Sequence, residues 1–309
     1  MGLLTPFDPA ARVELADVAA QLAGCTLECD DDRIPRLRLE LDDGGAVHVT
    51  TRREPDGVCL VTSTIDLQGA MLRVLPRQRE VDGTPAKVAA ALDEGDVQIA
   101  CDDPALAEAW IDAPTRDALP ACLWVTAGPL RRTLIDGARI GVGDGEVLMA
   151  PVASNPAHLA AVIEIGVLLA SRPARLGAEL AAVAAALGGA VTAAAFDLGE
   201  RFAMRFERDA ASVTADFIRR MPDEPAKHAR LRTRIRAPTS IDAATLARRL
   251  AAAAAAVRDL GAPPIALAGG DVALVLDGLV GSRERLAPAI GLVARLAEPA
   301  AVRADGPYR

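Results

Sequence analysis

Aromatic side chains are scarce: five Phe, two Trp and one Tyr in 309 residues. The core must therefore be built from Ala, Leu, Val and Ile, which pack by shape rather than by ring contacts. Lysine is scarcer still. Lys87 and Lys227 are the two lysines among 34 basic residues, so the cationic surface is guanidinium surface. The excess of Arg over Lys, with abundant Ala, matches a GC-rich bacterial coding pattern. No apolar run has the roughly 20 strongly apolar residues that a membrane span needs. Leu159 to Ala170 is short and holds Glu164, and Leu180 to Phe196 is mostly Ala and Gly, broken by Gly188-Gly189. The stretch Met1-Gly-Leu-Leu-Thr-Pro-Phe-Asp lacks a basic n-region and an apolar h-region, so no secretory signal is read. The expectation is a cytoplasmic protein without a membrane partner.

Motifs for chemistry are also missing. The five cysteines (Cys25, Cys29, Cys59, Cys101, Cys122) are odd in number and scattered, and Cys25-x3-Cys29 has no second ligand pair at zinc spacing. They read as reduced, small apolar residues. His48, His158 and His228 each stand alone in their segments. There is no G-x-S-x-G elbow and no Ser or Cys in a recognisable nucleophile context. Asp30-Asp31-Asp32 and Asp102-Asp103 lack calcium-loop spacing and read as solvated loops. Gly141-Val142-Gly143-Asp144-Gly145 resembles a phosphate loop in composition. However, an apolar strand follows it instead of a helix N-terminus, so a hairpin turn is expected. No cofactor, metal or small-molecule ligand is predicted, and enzymatic activity is not expected.

What is present is a globular composition, 51% hydrophobic and 25% charged, with a formal charge of −8. The charge is uneven: residues 1–173 hold 15 basic against 27 acidic residues, and residues 174–309 hold 19 against 15. There is also internal similarity. Ile111-Asp112-Ala113-Pro114-Thr115 returns as Ile235-Arg236-Ala237-Pro238-Thr239. Each copy is read as following a short strand and opening a helix, with Thr115 and Thr239 as N-caps and Asp117 and Asp242 in the first turn.

Around that register the flanking segments match. Helix-periodic Glu14–Gly24 parallels Glu179–Gly189. The alternating Arg36–Leu41 and Val47–Thr50, joined by Asp42-Asp43-Gly44-Gly45, parallel Arg201–Phe206 and Ser212–Ala215. The hairpin Ile140–Met149 parallels Ile265–Leu274. The stripe Leu159, Val162, Ile163, Gly166, Val167, Ala170 parallels Leu286, Ala289, Ile290, Val293, Ala294, Ala297. In the first copy Val58–Ile65 reads as a strand, and the extra residues that follow include Met71–Leu75, a Gly/Pro turn at Asp82–Pro85, a helical run Ala86–Leu92, and a short strand Val97–Cys101 between acidic loops. The helix after the first pentapeptide is expected to break at Pro120 and Gly128-Pro129 and to resume from Leu130 to Asp136.

The predicted fold is thus α+β: two diverged repeats of α-β-β(-β)-α-β-β-α. Residues 1–173 form the first, with an insertion near 57–107, and residues 174–309 the second. Antiparallel sheets carry helices on one face, and the halves are expected to form a pseudo-twofold pair. This element order resembles the class I type III secretion chaperone-like fold. The resemblance implies a small acidic α/β module that holds partner chains.

One stretch has a distinctive charge pattern. Arg230, Arg232, Arg234 and Arg236 alternate with Leu231, Thr233 and Ile235, so on a strand all four guanidinium groups leave one face. Like charges in a row need compensation. Alignment through the pentapeptide sets Glu108 opposite Arg232 and Asp112 opposite Arg236, which names those acids as candidate partners across the halves or between protomers. The alternative is an anionic ligand or nucleic acid, although no aromatic residues interleave with the arginines and the chain as a whole is acidic. The favoured function is a non-enzymatic protein-binding, adaptor or chaperone-like module, with a protein partner or self-association. Anion binding by the arginine strand, and an enzyme with an unrecognised site, are the alternatives.

Overall fold

The computed structural model describes residues 15–29, 35–41, 46–52, 58–62, 65–76, 92–94, 97–127, 133–151, 156–208, 211–219 and 229–298. Helices and antiparallel sheets alternate through the chain, an α+β fold. It divides into two compact units, Met1–Pro173 and Ala174–Arg309.

In the first unit a short helix, α1 (residues 15–19), leads into β1 (Cys25–Cys29), β2 (Pro35–Glu40), β3 (Ala46–Arg52) and β4 (Val58–Thr62). Next come β5 (Leu72–Pro76), β6 (Leu92–Glu94) and β7 (Val97–Cys101), then α2 (Pro104–Trp110), α3 (Ala113–Ala118) and a 3₁₀ turn at Leu119–Cys122. A separate hairpin, β8 (Leu123–Ala127) and β9 (Thr133–Gly137), precedes β10 (Arg139–Gly143), β11 (Glu146–Ala150) and α4 (Pro156–Ala170). The nine-stranded sheet runs β1-β2-β3-β4-β11-β10-β5-β7-β6. Helix α4 lies over β3, β4, β10 and β11, and α2 over β6 and β7.

The reasons are local. Leu37 and Leu39 of β2 are buried while Arg36 and Arg38 are half-exposed, which is the period-two pattern of a strand with one covered face. Helix α4 buries Leu159, Val162, Ile163, Gly166 and Ala170, the expected stripe apart from Val167, and adds Ile165 and Leu169. Each large apolar side chain so buried contributes roughly 1.5–3 kcal/mol. Gly166 is a matter of fit: a Cβ there would lie 2.1 Å from the Met149 sulfur on β11.

The second unit takes its first helix from α5 (Arg172–Ala186), then β12 (Gly189–Val191), β13 (Gly199–Arg208), β14 (Ala211–Ile218) and β15 (Arg232–Pro238). Helices α6 (Ala243–Ala252) and α7 (Ala254–Asp259), the hairpin β16 (Ile265–Ala268) and β17 (Asp271–Asp277), and α8 (Arg283–Ala297) complete it. The six-stranded sheet runs β12-β13-β14-β15-β17-β16. That succession is also the β1-β2-β3-β4-β11-β10 part of the first sheet. Helix α8 buries the whole predicted stripe against β13, β14, β15 and β17. Phe196, Phe202 and Phe217 form a tilted cluster with centroids 5.3–6.1 Å apart, so three of the chain's few aromatics meet at one point.

Several sequence expectations need correction. The first pentapeptide does not follow a strand. Ile111 and Asp112 join α2 to α3 and Ala113–Thr115 open α3, whereas Ile235–Pro238 ends β15. Neither threonine is an N-cap. The cap of α3 is Asp112, whose Oδ1 accepts from the Thr115 N–H at 3.1 Å and from its hydroxyl at 2.6 Å. The cap of α6 is Asp242, which accepts from the Thr245 N–H at 2.8 Å. Hence the like-positioned segments are Ile111-Asp-Ala-Pro-Thr115 and Ile241-Asp-Ala-Ala-Thr245, because an Asp three residues before a Thr satisfies the open amides of a helix start. Thr239 instead donates its hydroxyl to the Ala297 carbonyl at 2.9 Å.

The helical run expected from Leu130 to Asp136 is strand β9 where described: its Thr-Leu-Ile content suits a ladder with β8. The acidic stretch expected as loop begins as β6. The turns Asp42–Gly45 and Asp82–Pro85, Asp30–Asp32, the run from Ala86 up to Leu92, Gly128-Pro129 and His228 lie outside the described residues.

Two glycines in helices distinguish packing from propensity. A Cβ on Gly177 in α5 would lie 2.1 Å from the Ala194 carbonyl oxygen, whereas Gly291 in α8 has nothing within 4 Å. Gly291→Ala is expected to raise stability by up to about 1 kcal/mol through helix propensity. Gly177→Ala is expected to lower it by about 2 kcal/mol, because backbone must move. Urea unfolding of both variants checks the opposite signs.

Candidate functional site

Strand β15 is hydrogen-bonded on one side to β14 and on the other to β17. Its Thr233, Ile235 and Ala237 are buried, and Arg232, Arg234 and Arg236 emerge on the opposite face. Opposite Arg234 in the register stands Asp216 of β14. It is fully buried, and it is the carboxylate in the otherwise uncharged run Val213–Ile218. Arg234 donates through Nε to Asp216 Oδ1 at 2.8 Å and through Nη2 to Oδ2 at 2.9 Å, a two-pronged pair. Arg236 Nε donates to the same Oδ2 at 3.2 Å, and its Nη1 reaches Asp271 Oδ2 at 3.4 Å. Arg232 Nε lies 4.0 Å from Asp277 Oδ1, whose side chain is fully exposed. Arg230 precedes the strand. Its amide donates to the Arg219 carbonyl and its Nη1 to the Ala229 carbonyl, each at 2.8 Å.

So the row of like charges is threaded by Asp216, Asp271 and Asp277, all in the same unit. The two acids named from sequence sit elsewhere. Glu108 is exposed on α2. Asp112 caps α3 and pairs with Arg172 Nη1 at 3.3 Å, while Arg172 Nε donates to the Ala109 carbonyl at 2.9 Å. The signal for Asp216 was in the sequence as a lone carboxylate inside a strand-forming apolar run.

The glycine-rich segment is the β10–β11 hairpin, with Gly143 paired to Glu146 and Gly145 at φ +79°. The Asp144 carboxylate accepts from the amides of Leu67 at 2.6 Å and Gly69 at 2.9 Å, so it holds the 65–70 turn in place. Burial pushes the Cys122 thiol up to about 11, which keeps it from acting as a thiolate. Burial raises Cys25 as well. Among the described residues no three His, Cys, Asp or Glu converge as a metal site, and no helix is long and apolar enough to cross a membrane.

The α6–α7 arm is of a different kind. Leu246 is its one buried residue, and α7 buries none. Polar contacts hold it to α8. Arg249 Nη1 donates to the carbonyls of Leu296 at 2.8 Å and of Glu298, capping the end of α8. Between this arm and β16 lies a cavity of about 410 Å3 lined by Leu250, Ala254, Val257, Arg258, Pro263 and Ile265. In β16, Ile265 and Leu267 are half-exposed and the strand forms the sheet's edge. This cleft gave no motif signal, because its residues are ordinary helix and strand formers.

Removing Asp216 is expected to be severe. Asp216→Ala leaves Arg234 and Arg236 without their shared carboxylate and should destabilise by about 3 kcal/mol, whereas Asp277→Ala should leave the denaturation midpoint unchanged. A second effect depends on pH. Burial on α4 holds the His158 imidazole below its ordinary value of 6.5. The unfolded chain therefore binds the proton first. The stabilising contribution is complete above about 6.5 and is lost as pH falls through the lowered folded value. His158→Gln should flatten that acid-side slope in a stability-versus-pH series.

No family model matches the chain, and no curated protein matches it in sequence. Among solved structures, the crystal structure of the mycobacterial trehalose monomycolate transport factor A, TtfA, aligns over 52% of this chain and 92% of its own. The identity is 12% and the TM-score 0.31, a likeness too slight to support any statement about fold or role.

Proposed function

We propose that this chain is a non-enzymatic protein-binding module, adaptor-like or chaperone-like, that takes an extended polypeptide segment as an added strand at β16. The observation that carries this is the open, uncharged β16 edge beside the cavity under α7. In the β16–β17 register Ala268 faces Asp271 across the Gly269-Gly270 turn, and Val275 donates to the Pro264 carbonyl at 3.1 Å. Antiparallel pairs alternate, so the N–H and C=O groups of Ile265 and Leu267 point off the sheet. A segment pairing there would gain main-chain hydrogen bonds and place alternate apolar side chains against Leu250, Val257 and Pro263. Arg258 at the rim favours a segment that carries an acidic residue. The shared strand succession of the two sheets supports reading the chain as two diverged copies, of which the second carries this arm. The anion-binding reading has less motive, since Arg234 and Arg236 already satisfy a buried carboxylate.

A displayed library of random peptides selected on the purified chain tests the proposal. It should enrich segments with apolar residues at alternate positions and a flanking acid. Leu267→Pro removes an outward N–H without touching the β17 ladder. It should weaken those peptides on the order of tenfold in fluorescence anisotropy. Equal binding by wild type and Leu267→Pro, with affinity collapsing as salt rises, would replace this reading with the anionic one.

A further inference from the structure

We infer that the groove between α7 and α8 is a binding site for a small apolar zwitterion, a free amino acid or a dipeptide, held by Asp259 and Arg295. The groove lies on the α8 side of α7, apart from the β16 edge, and does not rest on the β16 proposal. Its walls are one face of each helix. Ala256, Asp259 and Leu260 are spaced i, i+3, i+4 on α7 and its C-cap, and Pro288, Gly291 and Arg295 are spaced i, i+3, i+7 on α8. Together they line a cavity of about 340 Å3, near the lower end of the roughly 300–1,000 Å3 of small-molecule sites.

Three residues along this groove work against the helices that carry them. Pro288 sits inside α8 and has no N–H to give to the Glu284 carbonyl one turn earlier. Gly291, also inside α8, gives up helix propensity. At Gly166 and Gly177 a close neighbour explains the glycine, but a Cβ on Gly291 would meet nothing within 4 Å. Asp259 is the last residue of α7, the end where open carbonyls disfavour a carboxylate. Local rules are broken chiefly where a site requires it, and here three breaks fall on the lining of one cavity. Gly291 keeps the α8 wall low, Pro288 gives it an apolar edge, and Asp259 supplies an anion.

The charges are available. Asp259 and Arg295 are exposed, and among the described residues neither side chain makes an ion pair or a hydrogen bond, so they do not neutralise each other across the groove. Arg249, by contrast, is spent on the end of α8. An ammonium group on the Asp259 carboxylate and a carboxylate on the Arg295 fork would satisfy both, the second as a two-pronged pair. The apolar part of the ligand would then lie over Ala256, Leu260 and Pro288. A lone anion or a lone cation would leave one of the two charges unanswered. Solvent screens exposed pairs, so the dissociation constant is expected on the order of 1 mM.

Saturation-transfer difference NMR on the full-length chain tests the site with L-leucine and L-leucyl-L-leucine, which separate the two sizes of ligand. At least one should bind. Its amide and its N-acetyl derivative, each lacking one charge, should bind roughly tenfold more weakly or worse. Asp259→Asn and Arg295→Gln should each weaken the zwitterion by a similar factor. Gly291→Leu fills the groove from an open position and should abolish binding while circular dichroism shows the wild-type helix content; Gly291→Ala should still bind. No saturation transfer to either zwitterion, equal binding of the blocked forms, or binding that survives Gly291→Leu or both charge variants would overturn the proposal. Leu267→Pro should bind the zwitterion as wild type does, so failure at β16 and failure here are read separately.

Discussion

One carboxylate holds the second sheet together electrically. Asp216 has no exposed surface, yet it lies on the face of β14 from which two guanidinium groups are within reach. A buried lone charge would be prohibitive, and a row of arginines on one strand would repel itself. Each problem removes the other: Arg234 satisfies both carboxylate oxygens and Arg236 shares one of them. In the order β14, β15, β17, Asp216, Asp271 and the arginines come within hydrogen-bonding distance across adjacent strands.

On the other face of each sheet the packing is apolar and follows volume. Helices α4 and α8 cover the central four strands of their sheets with Leu, Ile, Val and Ala. With so few aromatic residues, close approach replaces bulk. Gly166 admits Met149, Gly177 admits the 194–196 backbone, and Gly189 lies against Phe206. A single central helix cannot cover every strand, and the outermost strands, β1 and β16 among them, lie beyond the main contacts of α4 and α8. β1 carries paired charges on its outer face. β16 carries none and lies beside a helical arm that is barely packed.

Much of the local structure was legible. The alternation in Arg36–Leu41 and Arg201–Phe206, the glycine turns at Asp144-Gly145 and Gly269-Gly270, and the α8 stripe all read correctly, because period and turn chemistry are local. The pentapeptide was misleading. Segments 111–115 and 235–239, which share four of five residues, occupy a helix start and a strand end, while 241–245, matching 111–115 equally well, shares the capping Asp and the following Thr. A capping geometry constrains two residues, and raw identity at four of five letters constrains none. The hairpin β8–β9 was read partly as helix because the run is short and apolar, and such a run has no decisive period.

The sequence by itself determined that the chain is an α+β protein, that its arginines at 232, 234 and 236 share a face, and that no familiar catalytic spacing is present. Those follow from neighbour-to-neighbour rules. The tertiary structure decided which acids answer the arginines, which strands end their sheets, and which helix remains loosely attached. Such matters rest on contacts between residues far apart in the chain. Asp216 and Arg234 are 18 residues apart in the chain but adjacent in the ladder, and Asp112, matched to an arginine by sequence, was already bound to another. Spacing along a strand fixes the direction of a side chain, and only the neighbouring strand fixes what it meets.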